Sequence, residues 1–290
     1  MAPTQNKVAI VTGGLSGIGD ALTRTLIGSG WDVVALDLPS QSHVAQQLAE
    51  EHGDPFEFMA CDVSQYQELA QCFSTTFEKK GRLDAFCSNA GFEDQSSVYL
   101  LANRGKSERV PPQPNTLSTD LCYKALIYGT TLSVHFMRQN PTPGGFIVGT
   151  ASICALHACP SFPEYSGAKA AMNYFVEACA PILKLHDNIT INTVCPGAVP
   201  TNKIPQGMRD ALGEESLTPR ATIVAAYMKF LNDPSLTGEW AEASSDKVRL
   251  QEKLAYMNGE VSRRTVQVWD PYFEAIHGTV SGLPDNVRLI

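Results

Sequence analysis

Ser152, Tyr165 and Lys169 bring a hydroxyl, a phenol and an ammonium into one short stretch, the serine thirteen residues before the tyrosine and the lysine four after it. If Pro163-Glu164 opens a helix, Tyr165 and Lys169 lie one turn apart on one face. An ammonium beside a phenol favours the phenolate. A phenol eased toward ionisation suits general acid/base work on an alcohol or a ketone near neutral pH. The Ser152 hydroxyl is then available to hold the substrate oxygen. Of the neighbours, His157 reads first as a loop histidine, Phe162 as a wall of the pocket, and Cys154 and Cys159 as packing. Glu93, just after the turn Asn89-Ala90-Gly91, is a further residue able to point into such a site.

The elements around this stretch must bring it something to react with. Lys7–Val11 is a short apolar run of strand type that ends in Thr12-Gly13-Gly14-Leu15-Ser16-Gly17-Ile18-Gly19, followed by a helical pattern through Leu22, Leu26 and Ile27. Strand, glycine turn and helix in that order make a pyrophosphate site, because Gly13, Gly17 and Gly19 let the backbone N–H groups of Leu15, Ser16 and Ile18 and the helix N-terminus approach the phosphates. The second strand, Asp32–Asp37, ends on an acid eighteen residues after Gly19. A carboxylate there accepts the ribose hydroxyls of adenosine and repels a 2′-phosphate, so the cofactor expected is NAD rather than NADP.

Strands and helices go on alternating. Phe56–Val63 carries Asp62 at its end, Leu83–Cys87 leads into Asn89, Gly144–Thr150 delivers Ser152, and Ile189–Val194 leads into Pro196, Val199 and Thr201. Helical patterns lie over about 41–52, 65–80, 117–137, 163–185 and 217–231, and a last strand over Glu239–Ala243. This is the pattern of a single doubly wound α/β Rossmann-type domain with a parallel sheet of about seven strands, whose ligand crosses the carboxyl ends of the strands. Residues 92–116 read as a surface excursion and 198–215 as a mobile substrate lid. The domain is expected over 1–245, and 246–290 as an extension on the substrate side or at a subunit interface.

Composition narrows the function classes. A net charge of −8 with no Lys/Arg cluster argues against nucleic acid as partner. The sequence has no apolar run of about 18 residues, so no membrane span is expected, and the N-terminus carries no apolar signal core. Eight cysteines without a CxxC pair read as buried hydrophobes in a reducing compartment. The six histidines show no ligand spacing, so no metal is expected. A cytoplasmic protein acting on a small molecule is the default.

Taken in order, Thr12–Gly19, Asp62-Val63, Asn89-Ala90-Gly91, Ser152, Tyr165-x3-Lys169 and Pro196-Gly197-x3-Thr201 resemble the short-chain dehydrogenase/reductase family over roughly residues 7–243, most like fungal members related to 15-hydroxyprostaglandin dehydrogenase. The resemblance implies an NAD(H)-dependent oxidoreductase that interconverts a secondary alcohol and a ketone. Tyr165 would exchange the proton, Ser152 hold the oxygen, and Lys169 lower the tyrosine pKa and bind the nicotinamide ribose. Asp62 and Val63 would edge the adenine, Asn89, Ala90 and Gly91 support the cofactor strand, and Pro196, Val199 and Thr201 meet the nicotinamide end. A homodimer or homotetramer through the helices over 117–138 and 163–185 is implied as well. One departure stands out: where the family usually has an asparagine that holds a proton-relay water, this chain has Cys122. Two other uses of the same residues stay open: a non-redox cyclisation, isomerisation or dehydration in a biosynthetic pathway, and a nucleotide sensor that does no chemistry.

Overall fold

The computed structural model describes residues 6–106, 110–201, 204 and 206–284. Residues 107–109 of the excursion, 202, 203 and 205 of the expected lid and 285–290 of the extension lie outside the described residues. In chain order the elements are β1 (Val8–Thr12), α1 (Gly17–Gly28), β2 (Asp32–Asp37), α2 (Ser42–His52), β3 (Phe56–Ala60), α3 (Tyr66–Lys80), β4 (Ala85–Ser88), α4 (Leu117–Thr119), α5 (Ala125–Met137), β5 (Gly145–Thr150), α6 (Pro163–Asp187), β6 (Ile189–Pro196), α7 (Gln206–Leu212), α8 (Arg220–Asn232), β7 (Trp240–Ser244), β8 (Lys247–Leu250), α9 (Glu260–Thr265) and α10 (Asp270–His277). A π-helical turn, Asp120–Lys124, joins α4 to α5.

Side chains on successive strand residues point to opposite faces, and both faces here are apolar. Ile10, Val34, Phe86, Ile147 and Ile191 face one layer, packed on Leu69 and Phe73 of α3, Leu126 of α5 and Met172 and Val176 of α6. Ala9, Val33, Cys87, Val148 and Val194 face the other, packed on Leu22 and Leu26 of α1 and Ile223, Tyr227 and Phe230 of α8. Each such aliphatic or aromatic side chain stabilises the fold by roughly 1.5–3 kcal/mol through burial.

The strand order is β3-β2-β1-β4-β5-β6-β7-β8. The chain moves outward from β1 through β2 to β3, then returns to β4 on the other flank of β1. The connections therefore diverge between β1 and β4, and a crevice opens at the carboxyl ends of that pair. The glycine turn after β1 and the Asn89 turn after β4 both sit there.

Among the described residues the seven expected parallel strands are present, and an eighth joins them. β8 folds back antiparallel on β7, pairing Ser244 with Lys247 and Ala241 with Leu250. The reversal uses Ser245 in the left-handed region (φ 51°). Of the four residues of β8 only Val248 packs against the core, so the strand has no apolar alternation by which to be read. The stretch taken as the extension thus begins inside the sheet. Beyond it, Lys253 donates to Gly238 O and lies 5.2 Å over the Trp240 ring. Near its end, Ser281 O is hydrogen-bonded to His186 Nε2 of α6 (2.8 Å). No helix among the described residues is long and apolar enough to cross a membrane.

The close fit of α5 to the sheet depends on Gly129. A Cβ there would come within 2.1 Å of Phe86 Cζ, inside the fully buried layer. We expect Gly129→Ala to destabilise by about 1–3 kcal/mol through overpacking, read as a lower urea midpoint at unchanged m-value. Gly129→Ala with Phe86→Leu should recover part of that loss. An unchanged midpoint in the single variant would show that α5 can move away freely.

Candidate active site

β5 delivers Ser152 to the strand ends, and the loop after it returns to start α6. The Ser152 side chain accepts from Cys154 N–H (3.1 Å), which fixes the turn. On α6 the i, i+4 spacing brings Lys169 Nζ to 5.4 Å from the Tyr165 ring centre. The Ser152 hydroxyl lies close enough to the Tyr165 phenol to favour its ionised form. The three residues picked by type and spacing are therefore one cluster. Phe162 sits edge-on to Tyr165, ring centres 6.4 Å apart.

Lys169 is 2% exposed. Its Nζ donates to Thr150 O (2.5 Å), the last residue of β5. Burial works against its charge, but the neighbouring Cys122 thiol and Tyr165 phenol outweigh burial, and the ammonium is held above its ordinary value. Cys122 reaches the lysine because of the π-helical turn; a Cβ on Gly91 would be 3.0 Å from Cys122 Sγ and 3.2 Å from Lys169 Nζ. The thiol thus occupies the place where the resemblance implied an asparagine.

Tyr165 corrects the simplest expectation about this pair. Burial raises the phenol pKa, Lys169 and Ser152 lower it, and the net direction is up. The spacing of the two residues makes the lysine's effect visible, but desolvation by the surrounding loops is larger. In the protein without ligand the phenol stays protonated.

Gly13 has φ +61°, and a Cβ on Gly19 would lie 1.9 Å from Gly13 O, so the turn closes only with glycine there. Asp37 at the end of β2 accepts from Leu15 N–H (3.1 Å) on Oδ2 and from Leu38 N–H (2.9 Å) on Oδ1. A carboxylate has about four acceptor positions, so both oxygens keep capacity for ribose hydroxyls. Ser16, Gly17 and Ile18 continue the turn into α1, with Gly17 the first residue of the helix. The cradle and its acid fit a dinucleotide.

Asn89 is the hub of the crevice. Its Nδ2 donates to Thr12 O (3.1 Å) and Gly13 O (3.3 Å), and its Oδ1 accepts from Thr150 Oγ1 (3.1 Å). Asn89 N–H and Ala90 N–H both donate to Thr12 Oγ1 (2.9 and 3.1 Å). The Thr150 hydroxyl is also bonded to that of buried Tyr227. Thr12, Thr150 and Tyr227 were not singled out from the sequence, because their partners are far along the chain. Asp62 caps a tight turn through Ser64 N–H (3.0 Å), and Val63 is buried beside it. On the other flank Pro196 ends β6, Val199 is buried, and Thr201 packs its methyl 3.1 Å from where a Gly17 Cβ would be. His157 is exposed on its loop, and Glu93 is half-buried.

Comparison with known proteins identifies the family. The pattern of the family described as short chain dehydrogenase matches residues 7–209. The short-chain dehydrogenase/reductase prx6 of Penicillium rubens is 40% identical over 294 aligned positions, covering 98% of each chain. The 15-hydroxyprostaglandin dehydrogenase [NAD(+)] of Rattus norvegicus is 31% identical over 200 positions, 67% of this chain and 69% of that one. Among solved structures, the NADPH-dependent 3-quinuclidinone reductase from Rhodotorula rubra has a TM-score of 0.68 at 22% identity, covering 83% of this chain and 90% of that one. That likeness speaks to the fold.

Two thiols next to the site make its stability pH-sensitive. Cys87 and Cys195 are fully buried. Burial pushes Cys87 up to about 12 and Cys195 up to about 11. Above the ordinary thiol value the unfolded chain loses these protons first, so it binds fewer than the folded chain and stability falls as pH rises. We expect the urea midpoint to decline from about pH 9 toward pH 11, and the decline to be shallower in Cys87→Ala/Cys195→Ala. A double variant with the same pH slope would remove the thiols as its cause.

Proposed function

The chain belongs to the short-chain dehydrogenase family, and from that premise we propose that it is an NAD-dependent oxidoreductase that interconverts a secondary alcohol and a ketone, with Tyr165 as the general acid/base. The observation that carries this reading is the convergence of the Tyr165 phenol, the Ser152 hydroxyl and the buried Lys169 ammonium at the carboxyl end of β5.

When bound, the nicotinamide would supply the hydride acceptor or donor. The rest is work for this chain's own residues. Ser152 holds the substrate oxygen. Tyr165 gives that oxygen a proton in ketone reduction and takes one in alcohol oxidation. Lys169, anchored on Thr150 O, stabilises the phenolate that reduction leaves behind. Because burial keeps the free phenol protonated, alcohol oxidation should speed up with rising pH, whereas ketone reduction should not.

Asp37 supports NAD over NADP, since its carboxylate faces the place of a 2′-phosphate and would repel it. The named cofactor of the rat relative points the same way. The loops beside Tyr165 carry Phe92, Ile153, Leu156 and Phe162, all at least partly exposed, which supports a small and largely apolar substrate. All eight cysteines are free, which supports a reducing compartment such as the cytoplasm.

The test is a panel of secondary alcohols and ketones assayed with NAD and NADP in both directions. Turnover with NAD should exceed that with NADP by about tenfold or more, and Asp37→Ser should narrow the gap. Tyr165→Phe should lower kcat by roughly 10²–10⁴-fold while leaving NAD binding within a few-fold. Normal turnover in that variant would sink the assignment of Tyr165, and a preference for NADP would sink that of Asp37.

We also propose that the chain forms a homo-oligomer with its extension against a second copy. Leu254 is 75% exposed, Met257 94% and Val261 71%, and Val266, Tyr272 and Ile276 are exposed as well. So many large apolar side chains along one segment suit burial on a partner. Light scattering should find a dimer or tetramer for the full chain and a smaller species after removal of residues 252–290. A full chain that is monomeric at micromolar concentration would overturn this.

A further inference from the structure

The first turn of α6 lacks a cap of its own. Its N-cap residue, Phe162, has no side-chain acceptor, and Pro163 has no N–H to offer. Ser166 N–H is met by Phe162 O (2.9 Å). The two remaining donors, Glu164 N–H and Tyr165 N–H, are both taken by one side chain from far along the chain. Asp94 accepts Glu164 N–H on Oδ2 (3.0 Å) and Tyr165 N–H on Oδ1 (2.8 Å). A carboxylate so placed does the work of an N-cap and also complements the positive end of the helix.

Asp94 lies on a strap that starts in the nucleotide crevice. From Asn89, bonded to Thr12, Gly13 and Thr150, the chain passes Ala90, bonded to Thr12, then Gly91, packed against Lys169 and Cys122, and reaches Asp94 three residues later. Asn89 is held by several hydrogen bonds, Ala90 by one, and Gly91 by a close packing contact in which a side chain would crowd Cys122 and Lys169. Beyond Asp94 the strap goes on to Tyr99, whose hydroxyl donates to Pro160 O (2.8 Å). Between strap and loop lies a cavity of about 310 Å³, walled by Asp94–Tyr99 on one side and Ser161–Pro163 on the other. The segment that holds the catalytic helix therefore also shapes the space beside it.

We propose that Asp94 is a positioning residue for Tyr165, clamping the tyrosine's backbone and passing to it the state of the nucleotide crevice at Asn89. The proposal rests on the reading of Tyr165 as the acid/base and of the glycine crevice as the nucleotide site. Both carboxylate oxygens of Asp94 are engaged by backbone N–H groups of the helix. The clamp sets where the phenol stands relative to Ser152 and Lys169, and an error of about 1 Å in such a placement lowers turnover by up to about 10²-fold.

The experiment is backbone amide exchange on the purified full chain, comparing wild type, Asp94→Asn and Asp94→Ala, each with and without saturating NAD. Without nucleotide, the amides of Glu164 and Tyr165 should exchange about tenfold faster in Asp94→Ala than in wild type, with β1 and β5 unchanged. Asp94→Asn, of the same shape and keeping one oxygen acceptor, should fall between. In the wild type NAD should slow exchange at Tyr165, and most of that slowing should vanish in Asp94→Ala although NAD affinity stays within about threefold. With the alcohol from the panel that turns over best, Asp94→Ala should lower kcat about tenfold and leave KM for NAD within about twofold. Equal exchange at Glu164 and Tyr165 in wild type and Asp94→Ala would overturn the clamp. Slowing by NAD that persists in Asp94→Ala would overturn the coupling. Should NAD fail to bind the wild type, the cofactor reading fails, and the comparison without nucleotide still decides the clamp.

Discussion

A buried ammonium must be surrounded by groups that stabilise it, and Lys169 imposes that requirement on everything around it. At 2% exposure it has the Thr150 carbonyl, the Tyr165 phenol and the Cys122 thiol for company. The Thr150 carbonyl faces it because β5 ends there. The thiol is present because the helix widens to a π turn over Asp120–Lys124. The β4 turn can pass close by because residue 91 is a glycine. Three separate peculiarities of the chain thus share one electrostatic reason. Cys122 supplies a partner for the charge where an amide would otherwise stand.

The same strand ends serve the nucleotide crevice. Thr150 offers its carbonyl to Lys169 and its hydroxyl to Asn89 and Tyr227, so one residue joins the Tyr165–Lys169 cluster to the glycine turn. Asn89 reaches from the carboxyl end of β4 to that of β1, just past their last paired residues, Val11 and Cys87. Its amide replaces, by side chain, the bonds that the diverging backbone no longer makes. The crevice is held open by polar groups satisfied on both walls, which is the condition under which a buried polar network rigidifies a site.

What was legible in the sequence was local. Tyr165 and Lys169 meet because i and i+4 always meet on a helix, and Gly13 and Gly19 announce a turn that no other residue closes. The seven parallel strands were legible because their mostly apolar runs alternate with helical patterns. β8 was not, because a single inward residue, Val248, gives no period. The π turn was not, because an extra residue within a helix leaves the apolar pattern almost unaltered. The direction of the Tyr165 shift was hidden for a different reason. A neighbouring charge can be read from spacing, whereas desolvation is set by loops more than a dozen residues away in sequence and by how they fold.

Asp94 shows where this limit leads for function. The loops that vary most readily in such a sheet are those at the strand ends, and they shape the substrate space. Here one of them, the strap from Gly91 to Tyr99, also supplies the cap of the catalytic helix. The first turn of that helix answers in kind: Glu164 Oε1 accepts from the N–H and hydroxyl of Thr119 (2.8 and 2.9 Å), tying down the end of α4 just after the excursion. Both ends of the excursion are therefore fastened to the two residues that lead into the tyrosine's turn. A chain built this way cannot reshape its substrate space at residues 92–119 without moving Tyr165. If Tyr165 is the acid/base, substitutions at Asp94 or Glu164 should alter turnover and substrate choice together.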